Sequence, residues 1–186
     1  YQGQTHGHKS FLVNPNDAKL LIAKNPKYKN ILKPFLISDD LVGEINSKPS
    51  RYVIDFSGLE LLEAREYADV FSRIEKNVLP ARQQAANHER ERNEEVLNSN
   101  PNAKVNKHHA NFLNKWWQMS YPREALVDSL RGRDRYLACG RVTKRPIFDF
   151  ISTSIQPNDA LTVFSHSDNY TFGILQSNIH WRWFEE

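Results

Sequence analysis

The chain has 186 residues, of which 39% are hydrophobic and 25% are charged, and its formal net charge is +3. This apolar content supports a sizeable core and excludes wholesale disorder, and no stretch approaches the eighteen consecutive apolar residues of a membrane-spanning helix. Cys139 is the single cysteine, so an internal disulfide is excluded and we expect a cytoplasmic protein. Because no stretch is apolar enough to span a membrane, we expect no membrane partner.

The N-terminal third of the sequence predicts two strands around short helical segments. A short apolar run near residues 10–13 follows a glycine-rich start and indicates the first strand. Asn14 can cap a helix that begins at Pro15 and ends near Lys24. The next 25 residues predict another helical turn and an exposed loop at 46–50, and the alternating RYVIDF, residues 51–56, predicts the second strand.

A long helix follows this strand. Ser57 and Glu60 have the spacing of a capping box at its start, and Pro80 is expected to end or kink it. The helix carries one apolar stripe at helical spacing, formed by Tyr67, Val70, Phe71, Ile74 and Val78.

The segment 81–109 is polar, and its only large apolar residues are Val96, Leu97 and Val105. Two structures fit it: a solvated helix followed by a loop, or a flexible insertion. Its acidic residues alternate with arginines, which argues against a pair of catalytic carboxylates there.

The C-terminal part predicts an aromatic, half-buried segment, one short helix, three strands and a final helical pattern. The short helix lies between Pro122 and Gly132, and the strands cover 135–142, 147–155 and 160–165. The mixed order of elements predicts an α+β fold with a mixed, largely antiparallel sheet, several helices and one long helix near the middle.

The excess positive charge is concentrated in RGRDRYLACGRVTKR, residues 131–145, which we call the basic segment. It holds six basic residues and one acid, whereas the other 171 residues hold 19 basic and 21 acidic residues. In a regular strand, Arg133, Arg135, Arg141 and Arg145 would project from one face. Such a row suits phosphates and guanine edges of DNA, although a solvated basic strand edge fits the composition equally well.

The sequence holds no recognisable catalytic or cofactor-binding motif. There is no GxGxxG, P-loop or GxSxG, and Cys139 has no evident activating partner. The pairs His6–His8 and His108–His109 lack the further ligands at matching spacing that a metal site needs, so we expect neither catalytic nor metal-binding residues.

A series of short motifs, in order, resembles the target-recognition domain of single-chain DNA methyltransferases of the type IIG, MmeI-like class. The resemblance covers almost the whole chain. Its landmarks are YQG (1–3), FLV (11–13), ILKPFL (31–36), DDLVG (39–43), RYVIDF (51–56), WW (116–117), RYLA (135–138), FGILQS (172–177) and HWRW (180–183).

The resemblance implies sequence-specific recognition of double-stranded DNA for an adenine-N6 methyltransferase of a restriction-modification system. S-adenosylmethionine and the catalytic residues would then belong to the parent's methyltransferase domain, with which this domain would associate. The chain starts at Tyr1 and has only one methionine, so we expect residues 1–186 to be one domain of a longer polypeptide, which could also cleave DNA. The DNA-contacting candidates are Lys9, Arg131, Arg133, Arg135, Arg141, Lys144, Arg145, Ser167 and Asn169.

Two other functions remain open at this point. The long helix and the tryptophan-rich C-terminus could form a protein-docking surface. A metal-dependent nuclease using the histidine pairs is the remaining alternative.

Overall fold

The computed structural model describes residues 1–144 and 146–185. The chain forms two compact units. The first comprises Tyr1–His6, Leu12–Ile54 and the residues from Tyr121 onward, and the second comprises Gly7–Phe11 and Asp55–Ser120. Whether these units form one domain, as the sequence suggested, stays a prediction.

The first unit contains two β-sheets. In the four-stranded sheet, of order β1-β3-β2-β6, all neighbours are antiparallel except β2 and β6, which are parallel. The three-stranded sheet, of order β5-β4-β7, is antiparallel throughout. The strands are β1 (Leu12–Val13), β2 (Leu32–Leu36), β3 (Arg51–Ile54), β4 (Arg135–Gly140), β5 (Asp149–Ser152), β6 (Gln156–Pro157) and β7 (Leu161–Phe164).

Five helices complete the first unit. Asn14 caps the first of them as predicted, because its side-chain oxygen accepts a hydrogen bond from the backbone N–H of Asp17 at 2.8 Å. The helices are α1 (Pro15–Lys24), α2 (Ser38–Gly43), α6 (Glu124–Leu130), α7 (Asn169–Leu175) and α8 (Asn178–Glu185).

The second unit is built on three helices, α3 (Leu61–Arg65), α4 (Ala68–Ser99) and α5 (His108–Asn114). The predicted apolar stripe is buried in α4, and the Phe71 ring lies 5.4 Å from that of Trp116. Of the two outcomes predicted at Pro80, an end or a kink, the first is wrong, because α4 continues to Ser99. Pro80 cannot donate the backbone hydrogen bond of a helix interior. The burial of Val78 before it, and of Arg82 and Glu89 after it, offsets that loss.

The predicted cap at Ser57 is wrong. Helix α3 begins at Leu61, whereas a cap at Ser57 requires a helix that begins at Gly58. The backbone N–H of Glu60 donates to the Glu63 carboxylate at 2.7 Å. The capping box is thus shifted along the chain, and the Ser57 hydroxyl oxygen is buried without a partner among the described residues.

The α+β prediction is confirmed, with one long helix and largely antiparallel pairing. The sequence did not predict strand β2. Pro34 lies inside it, and a proline, which cannot donate a backbone hydrogen bond to a neighbouring strand, argues against a central strand. Within residues 1–144 and 146–185, no helix has the length and hydropathy needed to span a membrane.

Candidate nucleic-acid interface

The basic segment does not form the single row of arginines that residue parity predicted. Of its arginines, only Arg135 belongs to β4, and the five residues from Tyr136 to Gly140 are all buried. Both faces of β4 are covered. One face joins the core around Leu36 and Leu126, and aromatic residues of α7 and α8 lie over the other. The strand therefore separates the cations into two groups, at its two ends.

The first basic group, Arg131 and Arg133, lies in the turn before β4. Both side chains are exposed. Arg131 forms an ion pair with Asp128 at 3.1 Å, and the Nε of Arg133 donates to the carbonyl oxygen of Ser129 at 3.1 Å. An exposed ion pair contributes little to stability, so the Arg131 guanidinium can exchange Asp128 for a phosphate at low cost.

The guanidinium of Arg135 contacts three other residues of the protein. Its Nε donates to the carbonyl oxygen of Ser167 at 3.0 Å, and one terminal nitrogen donates to Oδ1 of Asn169 at 2.9 Å. The guanidinium also stacks on Phe150, 3.7 Å from the ring centroid. Three sequence candidates, Arg135, Ser167 and Asn169, are thus brought together.

This arrangement changes what Asn169 can do. Pairing with adenine N6 and N7 needs both the oxygen and the nitrogen of an asparagine amide. Arg135 uses one of the two lone pairs of Oδ1, so an adenine bound by Asn169 would share that oxygen with Arg135. Arg135 therefore acts on the Ser167–Asn169 segment as a positioning residue.

The second basic group, Arg141 and Lys144, lies in the loop between β4 and β5. Both side chains are exposed, and no hydrogen bond or ion pair joins either to another residue among those described. The backbone N–H of Arg141 donates to the carbonyl oxygen of Ala160 at 2.8 Å, which fixes the loop at its start. The predicted candidate Arg145 lies outside the described residues.

The glycine-rich start of the chain is mostly structural. Gln4 is buried, and its backbone N–H donates to the carbonyl oxygen of Pro157 at 2.7 Å. Gly3 is required there, since an added Cβ would lie 2.0 Å from the carbonyl oxygen of Asn158. Lys9 is exposed, but it belongs to the second unit.

The histidines and the cysteine form no evident catalytic site. Burial raises the pKa of the Cys139 thiol, which disfavours the reactive thiolate. In the described part of the chain, no three His, Cys, Asp or Glu side chains are grouped so that they could hold a metal ion. The His108–His109 pair lies at the N-terminus of α5, and the ring of His108 packs 4.3 Å from that of Phe112.

The tryptophan-rich C-terminus, one of the docking alternatives that the sequence left open, carries an exposed apolar surface on α7 and α8, which we call the α7–α8 surface. It borders a groove of about 760 Å³. The sequence predicted a helical pattern at the C-terminus but did not show which of its apolar residues are exposed. The large apolar residues that line the groove are Tyr170, Ile174, Ile179 and Trp183, each between 49% and 83% exposed.

The fold matches part of a solved restriction-modification enzyme. The chain aligns over 97% of its length with the type IIL restriction-modification enzyme MmeI in complex with DNA, at a TM-score of 0.66 and 16% sequence identity. No family model matches the sequence, and no curated protein matches it. The likeness at this identity shows a shared fold, and the chain spans about a fifth of the MmeI chain, 20%.

Proposed function

We propose that this chain binds double-stranded DNA and reads its sequence, as the target-recognition domain of a DNA adenine-N6 methyltransferase of a restriction-modification system. The observation that carries the proposal is the pair of exposed basic groups at the two ends of β4. The shared fold with part of an enzyme solved in complex with DNA supports it.

The spacing of the basic groups fits a duplex. The six residues of β4 rise about 3.3 Å each, so its two ends are about 17 Å apart. That distance corresponds to about five base pairs at 3.4 Å each. Phosphate contacts at both ends would fix the register of the domain and leave the loops between them to read bases.

In this proposal, these 186 residues bind DNA but do not themselves catalyse the methylation. S-adenosylmethionine and the reacting groups would be held by the rest of a longer polypeptide, as the motifs that resemble recognition domains imply. Recognition would therefore be the contribution of these 186 residues.

Selection from a randomised duplex library tests the proposal. The wild-type chain should enrich one short sequence family over several rounds, and an Arg141→Ala, Lys144→Ala double variant should enrich it poorly. Lys19→Ala, which removes an exposed charge on α1, is the matched control and should enrich the same family. A selected pool that is indistinguishable from the starting library would overturn sequence recognition.

A specific observation also favours protein docking. The α7–α8 surface exposes four large apolar side chains around its groove, which is unusual for a surface that meets only water. The other docking candidate, the apolar stripe of α4, is buried and offers no such surface. We assign the α7–α8 surface to the methyltransferase part of the parent, so docking and DNA recognition are complementary.

Hydrogen–deuterium exchange tests the docking assignment. Amides of α7 and α8 should exchange more slowly in a polypeptide that includes the methyltransferase domain than in this chain alone. Amides of α1, which has no such surface, serve as the internal control. Equal exchange of α7 and α8 in the two polypeptides would contradict the assignment.

A further inference from the structure

Two adjacent loops each hold one large aliphatic side chain that is almost fully exposed to solvent. Val142, in the β4–β5 loop (residues 141–148), is 88% exposed, and Ile45, in the α2–β3 loop (residues 44–50), is 86% exposed. The loops emerge at the same end of the three-stranded sheet. Ser47 donates a hydrogen bond to the Asp149 carboxylate at 2.7 Å, and Gly140 packs so closely on Ser38 that a Cβ would lie 2.8 Å from its hydroxyl.

The α2–β3 loop has an uncommon backbone conformation. Asn46 and Ser47 are consecutive non-glycine residues with positive φ, 57° and 47°, which sterics disfavour. The buried Asp40 carboxylate fixes the far side of the loop by accepting from the backbone N–H of Ser50 at 3.0 Å. Ile45 directly precedes these two residues, and backbone angles of this kind are common at functional sites.

The charges around the two side chains indicate what they meet. Val142 stands between Arg141 and Lys144, the second basic group, whose cations suit phosphates. Ile45 stands in a loop whose exposed charges, Glu44 and Lys48, cancel, so the loop offers phosphates no net attraction. An apolar tip beside an acid is suited to base edges instead, since thymine offers a methyl group and cytosine an amino donor in the major groove.

We infer that Val142 and Ile45 are specificity residues that contact thymine methyl groups in the major groove, while Arg141 and Lys144 bind the adjacent phosphates. This inference rests on the proposed DNA recognition and adds the chemistry by which part of the sequence is read. It assigns a role to two aliphatic residues that a purely electrostatic account of the surface leaves unexplained.

The probe is the duplex that the wild-type chain enriches from a randomised library. Each thymine is replaced in turn by deoxyuridine, which lacks only the C5-methyl group, and the affinity is measured by fluorescence anisotropy. At one or two positions the replacement should weaken wild-type binding about fourfold, which is the affinity that burial of one methyl group contributes. Val142→Ala or Ile45→Ala should abolish that sensitivity at its own position and keep the salt dependence of binding.

Leu20→Ala, which removes an exposed aliphatic side chain from α1, is the control and should keep the full methyl sensitivity. Because all three side chains are exposed, these variants should melt at the wild-type temperature. A selected duplex with no methyl-sensitive thymine overturns the inference, and so does sensitivity that survives in both loop variants. Both results leave DNA recognition intact, whereas a wild-type chain that enriches no sequence defeats the proposed function and the inference together.

Discussion

Arg82 and Glu89, seven residues apart on α4, hold the opposite ends of α5. Arg82 donates to the carbonyl oxygens of Phe112 and Lys115 at 3.0 and 3.1 Å. The two oxygens of Glu89 accept from the backbone N–H groups of His109 and Ala110 at 3.0 and 2.9 Å. Seven residues of helix span about 10 Å, which matches the length of α5. Each charge also faces the helix end of opposite partial charge.

Arg82→Met should destabilise the second unit markedly. The guanidinium is buried, which lowers its pKa to about 10, and it also donates to the Ser120 hydroxyl at 3.2 Å. Its removal takes three hydrogen bonds from Phe112, Lys115 and Ser120, which costs about 3 kcal/mol. Thermal melting should report a drop several times larger than that of Arg90→Ala, an exposed arginine on the same helix. Equal melting temperatures for the two variants would contradict this role.

Glu89→Gln should destabilise the protein in a pH-dependent way. Burial alone would raise the pKa of the Glu89 carboxyl, but the hydrogen bonds from the His109 and Ala110 backbone lower it below its ordinary value. A depressed pKa contributes stability above the unfolded pKa of about 4.3, and this is lost as the pH falls through the folded pKa. The gap in melting temperature between wild type and variant should therefore be constant from about pH 6 to 8 and close below about pH 4. A gap that does not change with pH would show that the carboxylate charge is irrelevant.

Arg135→Ala should lower the free energy of unfolding, whereas Arg133→Ala should leave it nearly unchanged. Arg135 loses two hydrogen bonds and its stacking on Phe150, about 2 kcal/mol together, whereas Arg133 loses one exposed hydrogen bond. Arg135→Lys should recover little, because an ammonium cannot stack and bridge Ser167 and Asn169 at once. Urea unfolding of the three variants measures this order, and full rescue by lysine would refute the positioning role.

Gly3→Ala should be poorly tolerated for a steric reason. The added Cβ would lie 2.0 Å from the carbonyl oxygen of Asn158, a backbone atom that cannot move away without disturbing the turn into β7. Gly43→Ala is the matched control, because an added Cβ there meets nothing within 4 Å. Melting temperatures should fall clearly for the first variant and stay near wild type for the second.

The local elements were largely predictable, whereas the site depended on tertiary packing. The Asn14 cap and the apolar stripe of α4 are encoded by nearby residues, and both are confirmed. The parity of the arginines failed because β4 covers only residues 135–140, so Arg133 and Arg141 lie outside the strand in which they would have alternated. The polar segment 81–109 fitted either a solvated helix with a loop or a flexible insertion. Neither alternative revealed that Arg82 and Glu89 are buried, because their partners at α5 lie about twenty to thirty residues further along the chain.

The salt dependence of DNA binding tests the central claim most directly. Fluorescence anisotropy of a labelled duplex should give a steep slope of log affinity against log salt for the wild-type chain. Replacing Arg131 and Arg133, or Arg141 and Lys144, by alanine should reduce that slope by up to about two units, roughly one per lost phosphate contact. The control Lys19→Ala, Lys29→Ala, which removes two exposed charges, should keep it. A shallow wild-type slope, or slopes equal in all variants, would contradict a DNA surface built on the two basic groups.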